Sequence, residues 1–303
     1  MSHSHHHHDH PASGKNIGIA IALNAVIFAV ELAGGIFTNS LALISDAMHN
    51  LSDFFALILS YIASKVVRWD SNHKKTYGYV RVEIFVAFIN SVSLVIIGGY
   101  IIYEAIHRIG HPQPVMGLWM LIIATIGFLA NGFATLLLKS SAAHDLNSRS
   151  AYLHLLTDAI ESLAVIVVGA LIYWWGWNLL DPIISIAIGI FIIRSAWNIV
   201  LETVNILTEG TPTGLDLNAV ASAIEAFPEV KSVHHLHVWS LSSNLKALSA
   251  HVVVTDDLIS NRCKLLHDIE ELLEHEYSIN HPTIQFETEK CEEQGLLVNS
   301  HKH

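Results

Sequence analysis

The sequence is short of most things a secreted or soluble enzyme carries. Cysteine occurs twice in 303 residues, at Cys263 and Cys291, which argues against a disulfide framework and fits a reducing compartment. Charged residues make up only 14%, well below the roughly 25% usual in soluble domains, so an ordinary soluble chain is a poor fit. No Gly-x-x-x-x-Gly-Lys-Ser/Thr run and no aspartyl-phosphate motif occurs, which leaves ATP-driven machinery without its parts. A cleavable signal peptide is not expected: the N-terminus is polar, and the first apolar run is too long and lacks a small-residue cleavage site. Positive charge is scarce late in the chain. From Glu209 onward there are 15 acidic and 6 basic residues, a balance of −9, against −2 for the first 208 residues. An acidic tail of that kind repels phosphates and attracts divalent cations, so nucleic acid is not an expected partner.

Apolar residues, 52% of the chain, are what fills the space. They gather in six segments at roughly 16–37, 41–64, 80–103, 115–138, 151–175 and 183–206. Each is long enough to cross a hydrocarbon core of about 30 Å as a helix. Turn-forming joints separate them, such as Thr38-Asn39-Ser40 and His111-Pro112-Gln113-Pro114, and Gly34-Gly35 and Gly98-Gly99 suit close helix contacts. Lys65, Arg68, Lys74, Lys75 and Arg81 lie between the second and third segments, and Lys139 and Arg149 between the fourth and fifth, whereas the alternate loops hold only Arg108. Positive residues stay inside, so both termini are expected in the cytoplasm, with Trp174, Trp175 and Trp177 at the outer interface.

Two polar regions flank the six segments. Residues 1–14 form a tail with six histidines among the first ten positions, His3, His5, His6, His7, His8 and His10. This pattern is open to two readings, a purification tag or a flexible metal-gathering tail. From about Thr208 the composition becomes that of a soluble domain, spanning 209–289 and followed by a loose tail at 290–303. Its pattern predicts a helix over Leu215–Phe227 stopped by Pro228, strands over Val230–Leu241 and Leu245–Thr255 around Ser242-Ser243-Asn244, a helix over Ser260–Tyr277 and a strand over Thr283–Glu287. The order αββαβ suggests helices on one face of a small sheet. The expected architecture is therefore an all-α six-helix transmembrane bundle over 15–208 followed by a small α+β domain.

Inside the apolar segments stand two matching polar pairs. His49 and Asp53 lie at i and i+4 in the second segment, and His154 and Asp158 repeat that spacing in the fifth. Each pair shares one helix face. An ionisable group at the centre of a membrane helix costs about 2.5–3.5 kcal/mol on insertion scales, so four of them need a reason. Two imidazoles and two carboxylates form an N2O2 set suited to tetrahedral Zn²⁺. The absence of thiolates disfavours Cu(I), and the two nitrogens disfavour Mg²⁺ or Ca²⁺. Buried His–Asp hydrogen bonds or a proton path are the alternatives, and a proton path uses the same groups. Asp46 and Glu161 lie on the same faces without an assigned role. Of the remaining polar residues, most of Asn24, Glu31, Asn90, Glu104, Asn131 and Asp181 read as hydrogen-bonding groups between helices or at interfaces, and Arg81 with Glu83 as a structural charge pair.

A ligating imidazole must be neutral, so protons compete with the metal for such a site. With imidazole titrating near about pH 6.5, a membrane site that trades Zn²⁺ for H⁺ as it faces alternate sides is an antiporter. Other classes are a membrane-anchored metal sensor or store, and an intramembrane zinc hydrolase. Four ligands leave a hydrolase no open position for water. An antiporter, not an enzyme, is the leading expectation, with no prosthetic group.

Several stretches together resemble the cation diffusion facilitators, in the zinc-transporting branch: Gly34-Gly35-Ile36-Phe37-Thr38-Asn39-Ser40-Leu41-Ala42-Leu43-Ile44-Ser45-Asp46-Ala47-Met48-His49, Tyr77-Gly78-Tyr79-Val80-Arg81-Val82-Glu83, Ala151-Tyr152-Leu153-His154-Leu155-Leu156-Thr157-Asp158-Ala159, His234-His235-Leu236-His237-Val238-Trp239-Ser240-Leu241 and Ser249-Ala250-His251-Val252. The resemblance covers about 16–290. It implies six helices, a cytoplasmic metallochaperone-like (ferredoxin-like) domain, a homodimer, and proton-driven efflux of Zn²⁺ with Cd²⁺ as a second candidate; Co²⁺, Ni²⁺ and Fe²⁺ also fit an N2O2 site to some degree. It carries transport ligands over to His49, Asp53, His154 and Asp158, and cytoplasmic-domain ligands to His234, His251, His281 and Glu287. The connection from Lys139 to Arg149 lacks the long His-rich loop of many eukaryotic members, which suggests a bacterial inner-membrane protein. Strand alternation competes with this on one point. It puts His235 and His237 on one face and His234 on the other, and a hairpin centred on Asn244 sets His237 opposite His251.

Overall fold

The computed structural model describes residues 14–67, 69–139, 146–289 and 295–296. Six long helices come first: α1 (Gly14–Thr38), α2 (Leu41–Val66), α3 (Val82–Gly110), α4 (Gly117–Leu138), α5 (Leu146–Trp175) and α6 (Leu180–Leu207). They coincide with the six apolar segments, though α3 runs on to Gly110 and α5 begins earlier, at Leu146. Among the described residues, four stretches are long and apolar enough to cross a membrane: Leu41–Ala63, Val82–Gly110, Leu155–Trp175 and Leu180–Leu207. Ala25–Thr38 and Gly117–Phe133 are shorter apolar stretches. The chain therefore has a helical transmembrane domain. Its outward side chains agree, because Ile36, Ile96, Tyr103, Phe133 and Leu136 are all exposed. Apolar surface on that scale is costly in water and ordinary against lipid.

By contacts the chain forms two compact units, residues 1–62 with 89–198, and residues 63–88 with 199–303. The first holds a core of Leu43, Leu94, Ile101, Met120, Val165, Ile188 and Ile192. Helices approach closely at two glycine pairs. A Cβ on Gly117 would stand 2.6 Å from the Tyr173 amide nitrogen and 2.8 Å from the Gly169 carbonyl, and one on Gly98 would stand 3.1 Å from the Gly189 carbonyl. Gly98 thus does what its sequence context suggests, while Gly99 faces open space.

Asp181 supplies a second kind of fixation. Its carboxylate accepts from Ser40 Oγ at 2.6 Å, from the Leu41 amide at 2.8 Å and from the Ala42 amide at 3.2 Å. The two amides are first-turn groups of α2 that no intrahelical carbonyl can satisfy. A residue at the start of α6 thereby caps α2, a bond between helices of the kind the sequence suggests for Asp181, though spacing does not name its partner.

The second unit contains α7 (Leu217–Glu225), β1 (Val230–Ser240), β2 (Lys246–Val254), α8 (Ile259–Tyr277) and β3 (His281–Glu287). Asp216 caps α7 by accepting from the Asn218 amide, which is why the helix starts two residues later than its apolar pattern suggests. Ser278, in the left-handed region at φ 55°, ends α8, with its amide bonded to Glu274 and the Ile279 amide to Leu273. The sheet has the order β1-β2-β3, with β1 and β2 antiparallel and β2 and β3 parallel through the α8 crossover. Val220 and Ile224 of α7 and Leu265, Ile269 and Leu273 of α8 pack with Leu236, Leu248 and Val252 of the sheet. The expected two-layer αββαβ domain is present. Its third strand begins at His281, not Thr283, because parallel pairing with β2 starts at Ala247↔His281.

The same unit holds the segment between α2 and α3. Arg81 donates to Glu209 at 3.1 Å, and Glu83 accepts from Ser243 through its amide at 3.1 Å and its hydroxyl at 2.5 Å. Arg81 and Glu83 therefore do not form the pair with each other that the sequence suggests. Each has its own partner.

Candidate metal centres

The first cluster lies where α2 and α5 meet. His49 lies in the first half of α2, and its Nε2 lies 3.4 Å from Oδ1 of Asp158 on α5. Both side chains are buried. The helix period explains why Asp53 stands one turn beyond His49 and His154 one turn before Asp158. The side chains of Asp53 and His154 lie outside the described residues.

Buried polar groups surround this pair. Asp46, one turn before His49, accepts from Ser162 Oγ on α5 at 3.2 Å. Glu31 of α1 accepts from Asn50 at 2.5 Å, and Ser52 donates to Asn90 of α3 at 3.2 Å. Asp46 thus acquires the α2–α5 bond that its spacing alone does not reveal, and Glu161 sits half-buried on α5 beyond Asp158. Glu31 and Asn90 bridge helices as their sequence context suggests, whereas Glu104 bonds Arg108 within α3 at 2.9 Å.

The second cluster lies on the sheet of the C-terminal domain. Donor atoms of His234, His251 and Glu287 lie within 4.8 Å of one another. His251 Nδ1 is 2.7 Å from Glu287 Oε1, and His234 Nε2 is 3.2 Å from Glu287 Oε2. Each comes from a different strand, β1, β2 and β3. The pairing His234↔His251 brings the imidazoles side by side, and Val253↔Glu287 brings the carboxylate from the other edge of β2. Two nitrogens and a carboxylate are a usual zinc donor set.

This register overturns the hairpin centred on Asn244. His237 pairs with Ser249 and is exposed, so it does not face His251. The turn closes one residue earlier, with the Leu241 and Ser242 amides both bonded to the Leu245 carbonyl. Between His234↔His251 and His237↔Ser249 the strand then carries one residue too many, a β-bulge. His235 takes up the strain at φ 50°, a conformation that costs a side-chain-bearing residue about 1–2 kcal/mol. The bulge brings His235 back beside its neighbours, with ring centres 5.0 Å from His234 and 4.7 Å from His251. Sequence reasoning put His235 on the opposite face, and no glycine marked the bulge.

His281 stands apart from this cluster. It opens β3, six residues before Glu287, and six residues of strand span about 20 Å. It is exposed, with its ring 5.3 Å from that of Tyr77. Cys291 and the N-terminal histidines lie outside the described residues.

Residues 17–208 match the cation efflux transmembrane domain family, and residues 212–289 match the cation efflux protein cytoplasmic domain family. The chain belongs to the cation efflux family. Its relatives include a Bacillus subtilis protein named cadmium, cobalt and zinc/H(+)-K(+) antiporter, 43% identical over 263 residues that cover 86% of this chain and 84% of that protein. The metal cation efflux system protein CzcD of Cupriavidus metallidurans is 36% identical over 279 residues, 92% of this chain and 88% of the relative. Zinc transporter ZitB of Escherichia coli is 35% identical over 310 residues, 100% of this chain and 98% of the relative. Membership in this family makes the chain a cation efflux transporter and not an enzyme.

Proposed function

We propose that this cation efflux protein exports Zn²⁺ in exchange for protons, with Cd²⁺ as a second substrate and Co²⁺, Ni²⁺ and Fe²⁺ as weaker candidates. The observation that carries the reading is the His49–Asp158 pair, two buried ionisable side chains 3.4 Å apart that are contributed by different membrane helices. His49, Asp53, His154 and Asp158 form the transport site in this reading. Two imidazoles and two carboxylates complete a tetrahedral zinc shell, so a dehydrated ion can be held within the bilayer. Release follows from competition, because protonating the imidazoles and carboxylates removes the lone pairs that hold the metal. Each exchange of Zn²⁺ for protons returns the site to the opposite side with little net charge buried. The names of the relatives, which include zinc transport and antiport against H⁺, support this assignment.

Six helices over 15–208 span the bacterial inner membrane, with the His-rich tail 1–14, the ferredoxin-like domain 209–289 and the tail 290–303 all in the cytoplasm. The C-terminal domain holds a homodimer together and binds regulatory Zn²⁺ at His234, His251 and Glu287. His281, at the far end of β3, is left out of that site.

Reconstituted vesicles containing a zinc-sensitive dye test the transport reading under an imposed pH gradient. Wild-type protein is expected to move Zn²⁺ only while the gradient lasts, and Asp158→Ala to leave the dye silent. Zinc flux that ignores the gradient, or that survives Asp158→Ala, overturns it.

A further inference from the structure

We infer that His235 is a fourth protein ligand of the C-terminal centre, closing it as a three-histidine, one-glutamate shell for Zn²⁺; this rests on the reading of His234, His251 and Glu287 as a metal site. In a regular strand His234 and His235 point to opposite faces. Here the bulge inserts one extra residue between the pairs His234↔His251 and His237↔Ser249. Leu236 keeps its place in the core, fully buried, and His235 turns toward the imidazoles. The left-handed backbone at this position is one that glycine normally supplies. A histidine held there, in a strained conformation beside a donor cluster, has its side chain as the reason.

The ring spacing agrees, and because His234, His251 and Glu287 form the 4.8 Å donor cluster without His235, binding would require the His235 side chain to rotate its nitrogen toward them. Two imidazoles on one tetrahedral zinc, with Zn–N bonds of about 2.0–2.1 Å, hold their ring centres about 5 Å apart. The three rings here are separated by 5.2 Å for His234–His251, 5.0 Å for His234–His235 and 4.7 Å for His235–His251. Among the described residues the buried Nε2 of His235 has no hydrogen-bond partner, an arrangement that buried polar atoms avoid. The bulge backbone is braced separately, with the His235 and Leu236 amides donating to the Gly295 and Leu296 carbonyls at 3.5 and 2.9 Å. Metal is therefore not needed to make the bulge. Three protein ligands leave zinc with a position for water, as in catalytic centres, whereas four close the shell, as in structural ones.

The test is Co²⁺ titration of the full chain in detergent, followed by visible d–d absorption and by competition with Zn²⁺. The parent carries Asp158→Ala to silence the membrane site and alanine at the six N-terminal histidines. His235→Ala and His235→Gly are both expected to weaken binding at least about tenfold and to reduce the tetrahedral absorption. His235→Gly is the decisive variant, because glycine fits the left-handed bulge. Its metal-free unfolding temperature should equal or exceed that of the parent, while its metal affinity falls. Parent-like affinity and spectrum in His235→Gly overturn the inference. If His251→Ala abolishes binding while both His235 variants match the parent, the three-residue site stands and the fourth ligand falls. If the parent itself binds no Co²⁺ or Zn²⁺, the site and its fourth ligand fall together.

Discussion

The two clusters use the same side chains on different backbones. In the membrane domain His49 and Asp158 project from α2 and α5, and each belongs to a pair spaced by one helical turn. In the C-terminal domain His234, His251 and Glu287 come from three strands, each contributing a donor. Their surroundings differ as well. The membrane helices expose large apolar residues along their length, whereas beyond Leu217 the exposed large hydrophobics among the described residues are Leu258 and Ile259. A side-chain pair on two helices can separate when either helix tilts, which suits the transport role proposed for it. Ligands on three hydrogen-bonded strands are tied to one another through the backbone. That suits a site that holds its ion.

The comparison breaks most sharply at Asp158. Asp158→Ala should reduce proton-driven zinc flux in vesicles to the leak of protein-free vesicles, while metal binding at the C-terminal cluster stays intact by calorimetry. Acidifying the zinc-loading side should act in the same direction, since affinity for the metal falls as protons claim its ligands. Flux that increases under that acidification would sink the shared-site account. His251→Ala should do the reverse of Asp158→Ala. It should weaken C-terminal zinc binding by about 100-fold or more and lower flux only a few-fold. Equal loss of flux in both variants would mean that the two clusters are not separable in function.

Structural contacts rank below these. Asp181→Ala should lower the stability of the detergent-solubilised protein by about 1–3 kcal/mol, since it strips three donors at the start of α2 of their acceptor. Thermal unfolding measures this, and an unchanged midpoint would deny Asp181 its capping role. Arg81→Ala should be the mildest. Its bond to Glu209 is partly exposed on both sides, and such pairs contribute about 0–1 kcal/mol.

Much of the membrane cluster is legible without coordinates. Hydropathy locates the helices, and a period of 3.6 residues puts His49 with Asp53 and His154 with Asp158 on single faces. Asp46 was visible as a neighbour, but its bond to Ser162 depends on how α5 lies against α2. The C-terminal cluster is a harder case. Strand alternation separates His234 from His235 and favours His237 as the partner of His251, and both inferences fail at a bulge that carries no glycine. His281 and Glu287 share a strand, yet the strand's length keeps them from sharing a site.

The sequence by itself determined the two-part architecture and the helices on which His49 with Asp53 and His154 with Asp158 share a face. These follow from composition and from periodicity within a helix, whose hydrogen bonds join residues four apart. Only the tertiary structure decided that Asp181 caps α2, that His234 faces His251, and that His235 joins them. Those facts depend on pairing between distant segments, where a shift of one residue moves a side chain to the other face of the sheet.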